Sequence, residues 1–249
     1  MNTPYLSIIT VTFNAESTLG RTLESVASQT YRTFVEHIIV DGASKDQTVE
    51  MAQRYREQHP EIAVTIVSEP DKGLYDAMNK GLRLAKGEFV CFMNAGDKFH
   101  DSHTLEKVFD NIAHPEQVGV IYGDTNVVDE DGNYLRPRHL NAPDVLRWTS
   151  FKQGMLVCHQ SFYARRTLCP MYDTCYRFSA DVDWCIKVMK AGHEQGLRNQ
   201  NTQLVLTDFL DGGMTNKNHR ASLLERFRIM NHHYGLISTL WHHFLFLFR

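Results

Sequence analysis

The sequence predicts an α/β fold: a mostly parallel central sheet with helices on both faces, followed by a C-terminal helical extension. Three observations carry that expectation. Short β-branched apolar runs alternate with segments of helical apolar spacing through the first half of the chain, as in a parallel sheet covered by helices. The runs are near-continuous rather than alternating, the pattern of strands buried on both faces. Each run stops abruptly in polar residues, at the edge where such sheets bind ligands.

The elements follow in order. LSIITVTF (6–13) is the first strand. AESTLGRTLESVASQ places Leu19, Leu23, Val26 and Ala27 at helical spacing. VEHIIVDGAS is a second strand ending at Asp41, and SKDQTVEMAQRYREQ a second helix with Ser44 or Asp46 as N-cap. IAVTIVSEP is a third strand. GLYDAMNKGLRLAKG is a third helix closed by Gly87 as C-cap, and EFVCFMN a fourth strand. In the second half, VGVIYGDTNVVDEDGNYLRPR predicts a hairpin turning at Asp131-Gly132. GMLVCHQSFYARR predicts a strand interrupted at His159-Gln160. SADVDWCIKVMKAGH predicts a helix starting near Ser179 and closed by Gly192, and TQLVLTDFLDGGMTN a late strand and loop.

Composition narrows the classes. The chain has 249 residues, of which 43% are hydrophobic and 22% charged, an ordinary globular balance. We divide it into one domain over 1–217 and an amphipathic helical extension over 218–249. The net charge of −3 offers no basic excess for nucleic acid. Five cysteines, an odd count without a CxxC pair, and a start without signal-peptide features fit a reducing, cytoplasmic setting. No 18-residue apolar run occurs, so no membrane-spanning helix is expected. The end, YGLISTLWHHFLFLFR, is too short to span a bilayer and too apolar for a free tail. It reads as a helix docked on the core, on a partner or on a membrane surface.

The strand ends concentrate the chemistry. They are Thr12–Asn14, Asp41–Gly42, Glu69–Asp71 and Asn94–Asp97, and three of the four carry a carboxylate. A hard divalent cation takes oxygen ligands and bridges phosphates, usually through one or two carboxylates. Neither GxGxxG after the first strand nor GxxxxGK[ST] occurs, which disfavours a nicotinamide dehydrogenase and a P-loop enzyme. Nucleotide binding through carboxylates and a metal remains.

Four segments then become recognisable together: LSIITVTFNAESTLGRTLESVASQT, HIIVDGASKDQT, SEPDKGLYDAMNKGLRLAKGEFVCFMNAGD and FSADVDWCIKVMKAGH. In this order and spacing, over roughly residues 5–193, the chain resembles family 2 inverting glycosyltransferases, in particular bacterial enzymes of capsule, exopolysaccharide or lipopolysaccharide synthesis. The resemblance implies a Rossmann-like, mostly parallel sheet of the glycosyltransferase A fold, with a nucleotide-sugar-binding half over about 1–100 and an acceptor-binding half over about 101–217. It implies that Thr12, Asn14 and Glu16 line the nucleotide pocket, that Asp41 contacts the base, and that Asp71 and Asn79 form a second nucleotide-contact segment. NAGD stands where the family has its metal motif. Asn94, Ala95 and Gly96 would then face the donor, and Asp97 would hold Mg²⁺ or Mn²⁺. Asn94 and Gly96 are neutral where family members often have carboxylates.

The same resemblance makes Asp181 the catalytic base, with Asp183 its nearest rival, and puts His159, Gln160 and the Asp211 loop near acceptor and sugar. A base that takes the proton of an attacking hydroxyl and a cation on the departing diphosphate suit that chemistry. The implied partners are a nucleotide-diphosphate sugar, UDP-sugars first, and a glycan or lipid-linked glycan acceptor. The implied location is the cytoplasm, or the cytoplasmic face of the inner membrane through the C-terminal segment. Two other readings stay open: a nucleotide-sugar-binding subunit without catalysis, and a nucleotidyltransferase, although TFNAESTLGRT lacks the latter's Gly-rich basic first loop.

Overall fold

The computed structural model describes residues 4–212 and 219–246. Strands β1 (Leu6–Thr12), β2 (Val35–Asp41), β3 (Ala63–Ser68) and β4 (Phe89–Phe92) alternate with helices α1 (Leu19–Ala27), α2 (Thr48–Gln58) and α3 (Leu74–Leu84). There follow β5 (Lys98–Phe99), α4 (Thr104–Asp110), β6 (Val118–Val128), β7 (Tyr134–Pro137), β8 (Phe162–Arg165), α5 (Ala180–Glu194), β9 (Arg198–Leu210), α6 (His219–Tyr234) and α7 (Leu236–Phe246). The sheet order is β3-β2-β1-β4-β8-β6-β9-β5, with β7 paired on β6. β3, β2, β1 and β4 are parallel neighbours, β8 runs antiparallel between β4 and β6, and β6 and β9 are parallel.

The continuous apolar runs are explained by burial on both sides. Ile9 and Val11, Ile38 and Val40, and Val90 and Phe92 face a core completed by α3 and α5. Leu6 and Ile8, Ile39, and Phe89 and Cys91 face the opposite core, completed by α1, α2 and α4. Every residue of β1 and β2 is buried, so a two-residue period sorts apolar residues between faces instead of between core and water.

Several local expectations change. The N-cap of α2 is Gln47, not Ser44 or Asp46, although Asp46 Oδ1 accepts the Thr48 N–H at 3.1 Å. Gly87 does not cap α3, whose C-cap is Ala85 in an extended conformation. Gly87 is required for close approach: a Cβ there would lie 2.5 Å from the Ser7 backbone nitrogen. Gly192 lies inside α5, which runs on to Glu194. The segment around His159-Gln160 is a short 3-10 turn, and the strand begins only at Phe162. The hairpin at Asp131-Gly132 forms as expected, with Gly132 at φ 87°.

At the C-terminus α6 docks against α5. Ser222 Oγ meets Ser179 Oγ at 2.9 Å, and His233 Nε2 meets Asp183 Oδ1 at 2.7 Å. α7 buries Thr239 but leaves Leu236, Ile237, Leu240 and Trp241 exposed. The expected boundary at 217/218 and the residues Gly213, Leu247 and Phe248 lie outside the described residues. No helix among those described is long and apolar enough to cross a membrane.

Candidate active site

A cavity of about 390 Å³ opens at the carboxyl end of β4. Its walls come from that strand end (Asn94), the first turns of α3 and α5 (Tyr75, Asp181), the segment before β8 (His159, Gln160), the end of β9 (Asp211) and α6 (Arg226). The location follows from the sheet: β8 reverses direction beside β4, and a crevice forms where the parallel half stops.

Asp181 lies in the first turn of α5, where the helix dipole favours a negative charge. The Tyr75 hydroxyl donates to its Oδ1 at 3.2 Å. The start of α5 is fixed by Glu225 of α6, whose carboxylate accepts the N–H groups of Arg177, Phe178 and Ser179 at 2.8, 2.8 and 3.0 Å. Ser179 is the N-cap of α5 and Arg177 and Phe178 lie just before it, so Glu225 holds the segment that leads into the helix. Asp183, two residues on, stands outside the cavity wall. It is 1% exposed and paired with Lys187 at 2.6 Å and His233 at 2.7 Å.

Beside Asp181 stands a box of rings. His159 stacks on Phe92 at 4.8 Å and meets Trp184 edge-on at 5.7 Å. Its Nε2 is 2.6 Å from the Tyr172 hydroxyl. Burial lowers the His159 pKa to about 4, so the ring is neutral at physiological pH. Gln160 connects the cavity to the strand-end motif by donating from Nε2 to Asp97 Oδ2 at 2.8 Å.

Asp97 itself lies elsewhere than a cation ligand would. It is 3% exposed and absent from the cavity wall, and its Oδ1 accepts the Leu210 N–H at 3.0 Å. Burial pushes its carboxyl pKa up to about 7, against the opposing hydrogen bonds from Leu210 and Gln160. Gly96, at φ +103°, turns its N–H to Thr22 Oγ1 at 2.9 Å, and the space of a Cβ is filled by Leu210. Ala95 packs partly against the core on the α1 side. Of this motif, only Asn94 faces the cavity, and its Oδ1 is buried without a partner among the described residues. The donor set therefore does not fit a cation held by protein carboxylates. No group of three or more His, Cys, Asp or Glu among the described residues is placed to hold a metal.

The other expected nucleotide residues gather at the neighbouring strand ends, outside this cavity. Asp41 is 1% exposed and accepts from the Ser44 N–H at 2.9 Å and the Ser68 hydroxyl at 2.6 Å, as well as from the Ser44 hydroxyl. Asn14 Oδ1 accepts the Lys45 N–H at 2.9 Å, and Glu16 Oε2 that of Gln47 at 3.0 Å. Asp71 holds the Gly73 N–H at 2.8 Å. Thr12 Oγ1 is buried without a partner among the described residues. Asn14 and Ala43 adopt φ of 47° and 63°, strain of a kind that clusters in ligand loops. Asn79 does not reach either site; its amide pairs with both backbone groups of Tyr172 at 3.0 and 2.7 Å.

Sequence reasoning missed Phe13, 63% exposed just after β1, and the cavity residues Tyr75, Arg136 and Arg138. The apolar run 6–13 reads as strand throughout, whereas β1 stops at Thr12 and leaves Phe13 exposed. Arg226 stands with Arg220 and Arg228 in the basic stretch NHRASLLERFR, which reads as a solvated face or as a binder of anionic lipid-linked acceptor or headgroups; its place on the cavity wall depends on how α6 docks.

A mixed sheet with a crevice at its parallel strand ends is the architecture of glycosyltransferase A enzymes. Two solved structures share it. S. aureus TarS 1-349 in complex with UDP superposes with a TM-score of 0.68 at 17% identity, over 90% of this chain and 64% of that one. The mannosyltransferase PcManGT from Pyrobaculum calidifontis, in complex with GDP-Man and Mn²⁺, gives a TM-score of 0.64 at 22% identity, over 92% and 64%. The present chain thus spans 64% of the length of each. Residues 7–169 match the family described as Glycosyl transferase family 2, and the chain belongs to that family. A PGL/p-HBAD biosynthesis glycosyltransferase of Mycobacterium tuberculosis is 36% identical over 191 residues, covering 75% of this chain and 70% of the relative.

Proposed function

We propose that the chain moves a sugar from a nucleotide-diphosphate sugar to an acceptor hydroxyl with inversion at the anomeric carbon. Asp181 acts as general base. The observation that carries this reading is the placement of Asp181 on the wall of a cavity that also receives Asn94 from the end of β4. The acceptor oxygen attacks the anomeric carbon, its proton passes to Asp181, and the bond to the diphosphate breaks with its electron pair. Tyr75 holds the carboxylate's orientation. The neutral His159 ring and the Gln160 amide offer the sugar hydroxyls donors and acceptors. Thr12, Asn14, Glu16, Asp41 and Asp71 provide the nucleoside end, with Phe13 as a stacking surface for the base.

UDP-sugars are the first donors to test, because the TarS neighbours carry UDP and UDP-GlcNAc. The acceptor is a glycan or lipid-linked glycan of a bacterial envelope, met at the cytoplasmic face of the membrane. The exposed apolar side of α7 supports that surface role. Mg²⁺ and Mn²⁺ are supplied in separate arms of the test.

The test is thermal unfolding with UDP, GDP and dTDP, with and without cation, followed by transfer assays on the native chain and Asp181→Asn. A diphosphate should raise the melting temperature of both, and only the native chain should transfer. Substantial transfer by Asp181→Asn would move the base elsewhere. A native chain that binds donor but neither transfers nor hydrolyses it would make this a binding subunit, the reading kept alive by the neutral Asn94 and Gly96.

A further inference from the structure

Two residues of the cavity wall each carry a buried polar atom without a partner among the described residues: Asn94 Oδ1, an acceptor, and Arg226 Nε, a donor. Folded proteins pair nearly all such atoms, and each exception calls for an explanation. Here the two orphans belong to residues from opposite parts of the chain, the end of β4 and the middle of α6, that line one cavity. Together they suit a ligand that offers hydroxyls to an amide oxygen and an oxyanion to a guanidinium. A sugar phosphate is such a ligand.

The other arginines of the wall are committed. Arg138 donates from Nη1 to the Leu140 and Leu156 carbonyls at 3.0 and 3.3 Å and from Nη2 to that of Met155 at 2.6 Å. Arg136 Nη2 faces Asp211 Oδ2 at 3.5 Å. The strand-end motif adds no charge, since Asp97 is turned away and holds Gln160 and Leu210. Arg226 is also well anchored. Its neighbour Glu225 grips the start of α5, and Ser222 and His233 tie α6 to Ser179 and Asp183 on either side of Asp181.

Building on the reading of this cavity as the donor site, we propose that Arg226 binds a phosphate oxygen of the donor's diphosphate and supplies the positive charge that a strand-end cation would otherwise supply. A guanidinium recognises phosphate through a planar fork of donors. Held in place before the reaction, it meets the charge that grows on the leaving diphosphate as the bond to the anomeric carbon breaks. The electron pair of that bond goes to the diphosphate, and the acceptor proton goes to Asp181.

The test is calorimetric titration of the full chain in EDTA with UDP, GDP and dTDP, and with each matching nucleoside. At least one diphosphate should bind the native chain without metal. Arg226→Gln should weaken that diphosphate at least tenfold while changing the nucleoside less than twofold, and Arg226→Lys should recover part of the loss. If Arg226→Gln does not fold, Arg226→Lys is compared with the native chain by the same two affinities. The proposal is overturned if diphosphates bind only with Mn²⁺ or Mg²⁺, or if the variant binds them as the native chain does. It is likewise overturned if the variant raises KM only for a phosphate-bearing acceptor, which would give Arg226 to the acceptor. Absence of any diphosphate binding, with or without metal, would instead bring down the donor-site reading itself, and this proposal with it.

Discussion

His233 and Asp183 meet at 2.7 Å in the interior, each side chain almost wholly removed from water at 3% and 2% exposure. The pair fastens α6 to the first turn of α5. Burial alone would raise the Asp183 carboxyl, but the hydrogen bonds from His233 and Lys187 outweigh it and hold the pKa below its usual value. Replacing His233 by Ala removes a bond to a charged group, and the expected loss of unfolding free energy is about 1.5–3 kcal/mol near neutral pH. A depressed carboxylate stabilises the fold above its unfolded pKa of about 3.9 and loses that effect as pH falls through the folded value. The difference between native chain and variant should therefore fade in acid, as read by urea unfolding across pH.

Glu225→Ala should leave three N–H groups at the start of α5 without their acceptor. Loss of a helix N-cap costs about 0.5–2 kcal/mol, and the same range is expected here by denaturant unfolding. Because Asp181 follows directly on that segment, the transfer rate should drop while affinity for the nucleoside diphosphate holds. Glu225→Gln, which keeps an acceptor oxygen, should restore part of the rate.

The raised pKa of Asp97, about 7, gives a different pH signature. Between the ordinary carboxylate value of 3.8 and about 7, the folded chain holds a proton that the unfolded chain releases. The stabilisation is therefore full below the unfolded pKa and is lost as pH rises through the folded one. Asp97→Asn cannot ionise, and its advantage over the native chain should grow from pH 4 to pH 8 in melting experiments. A constant offset would show that Asp97 does not titrate in this range.

Gly87→Ala should destabilise by about 1–3 kcal/mol through overpacking, because its Cβ would press on the Ser7 backbone. A mere C-cap glycine with no such contact would lose less. Gly73, with open space around its missing Cβ but φ +116°, makes the matched control for backbone strain alone.

For α7, Ile237→Ser with Trp241→Ser replaces two side chains that are 87% and 59% exposed. Melting temperature should stay within about 2 °C, since surface changes seldom exceed 0.5 kcal/mol. Sedimentation with anionic lipid vesicles should fall sharply. Unchanged vesicle binding would assign that face to a protein partner.

Much of the fold was legible because the parallel half obeys local rules. Apolar runs such as Ile8 to Val11 must be buried on both faces, and the helices between them carry one apolar stripe each. The mixed half was harder: β8 is only four residues long, and its neighbours β4 and β6 are found by long-range pairing. At the site, residue types and strand ends could be read, but orientation could not. Asp97 and Asn94 are three positions apart, and the turn through Gly96 sends one side chain inward to Gln160 and leaves the other on the cavity. Asp181 and Asp183, on one helix turn, are likewise parted by the docking of α6, which no local pattern encodes.

The grip of Glu225 on the segment leading into α5 also orders events during synthesis. The sheet strands β1 to β4 emerge from the ribosome early and can pair as a unit, since chains fold from the N-terminal side as they are made. The acceptor for the N–H groups beside Asp181, and Arg226 next to it, emerge long afterwards. A nascent chain thus has the ends of its parallel strands in place before α6 closes the cavity around Asp181.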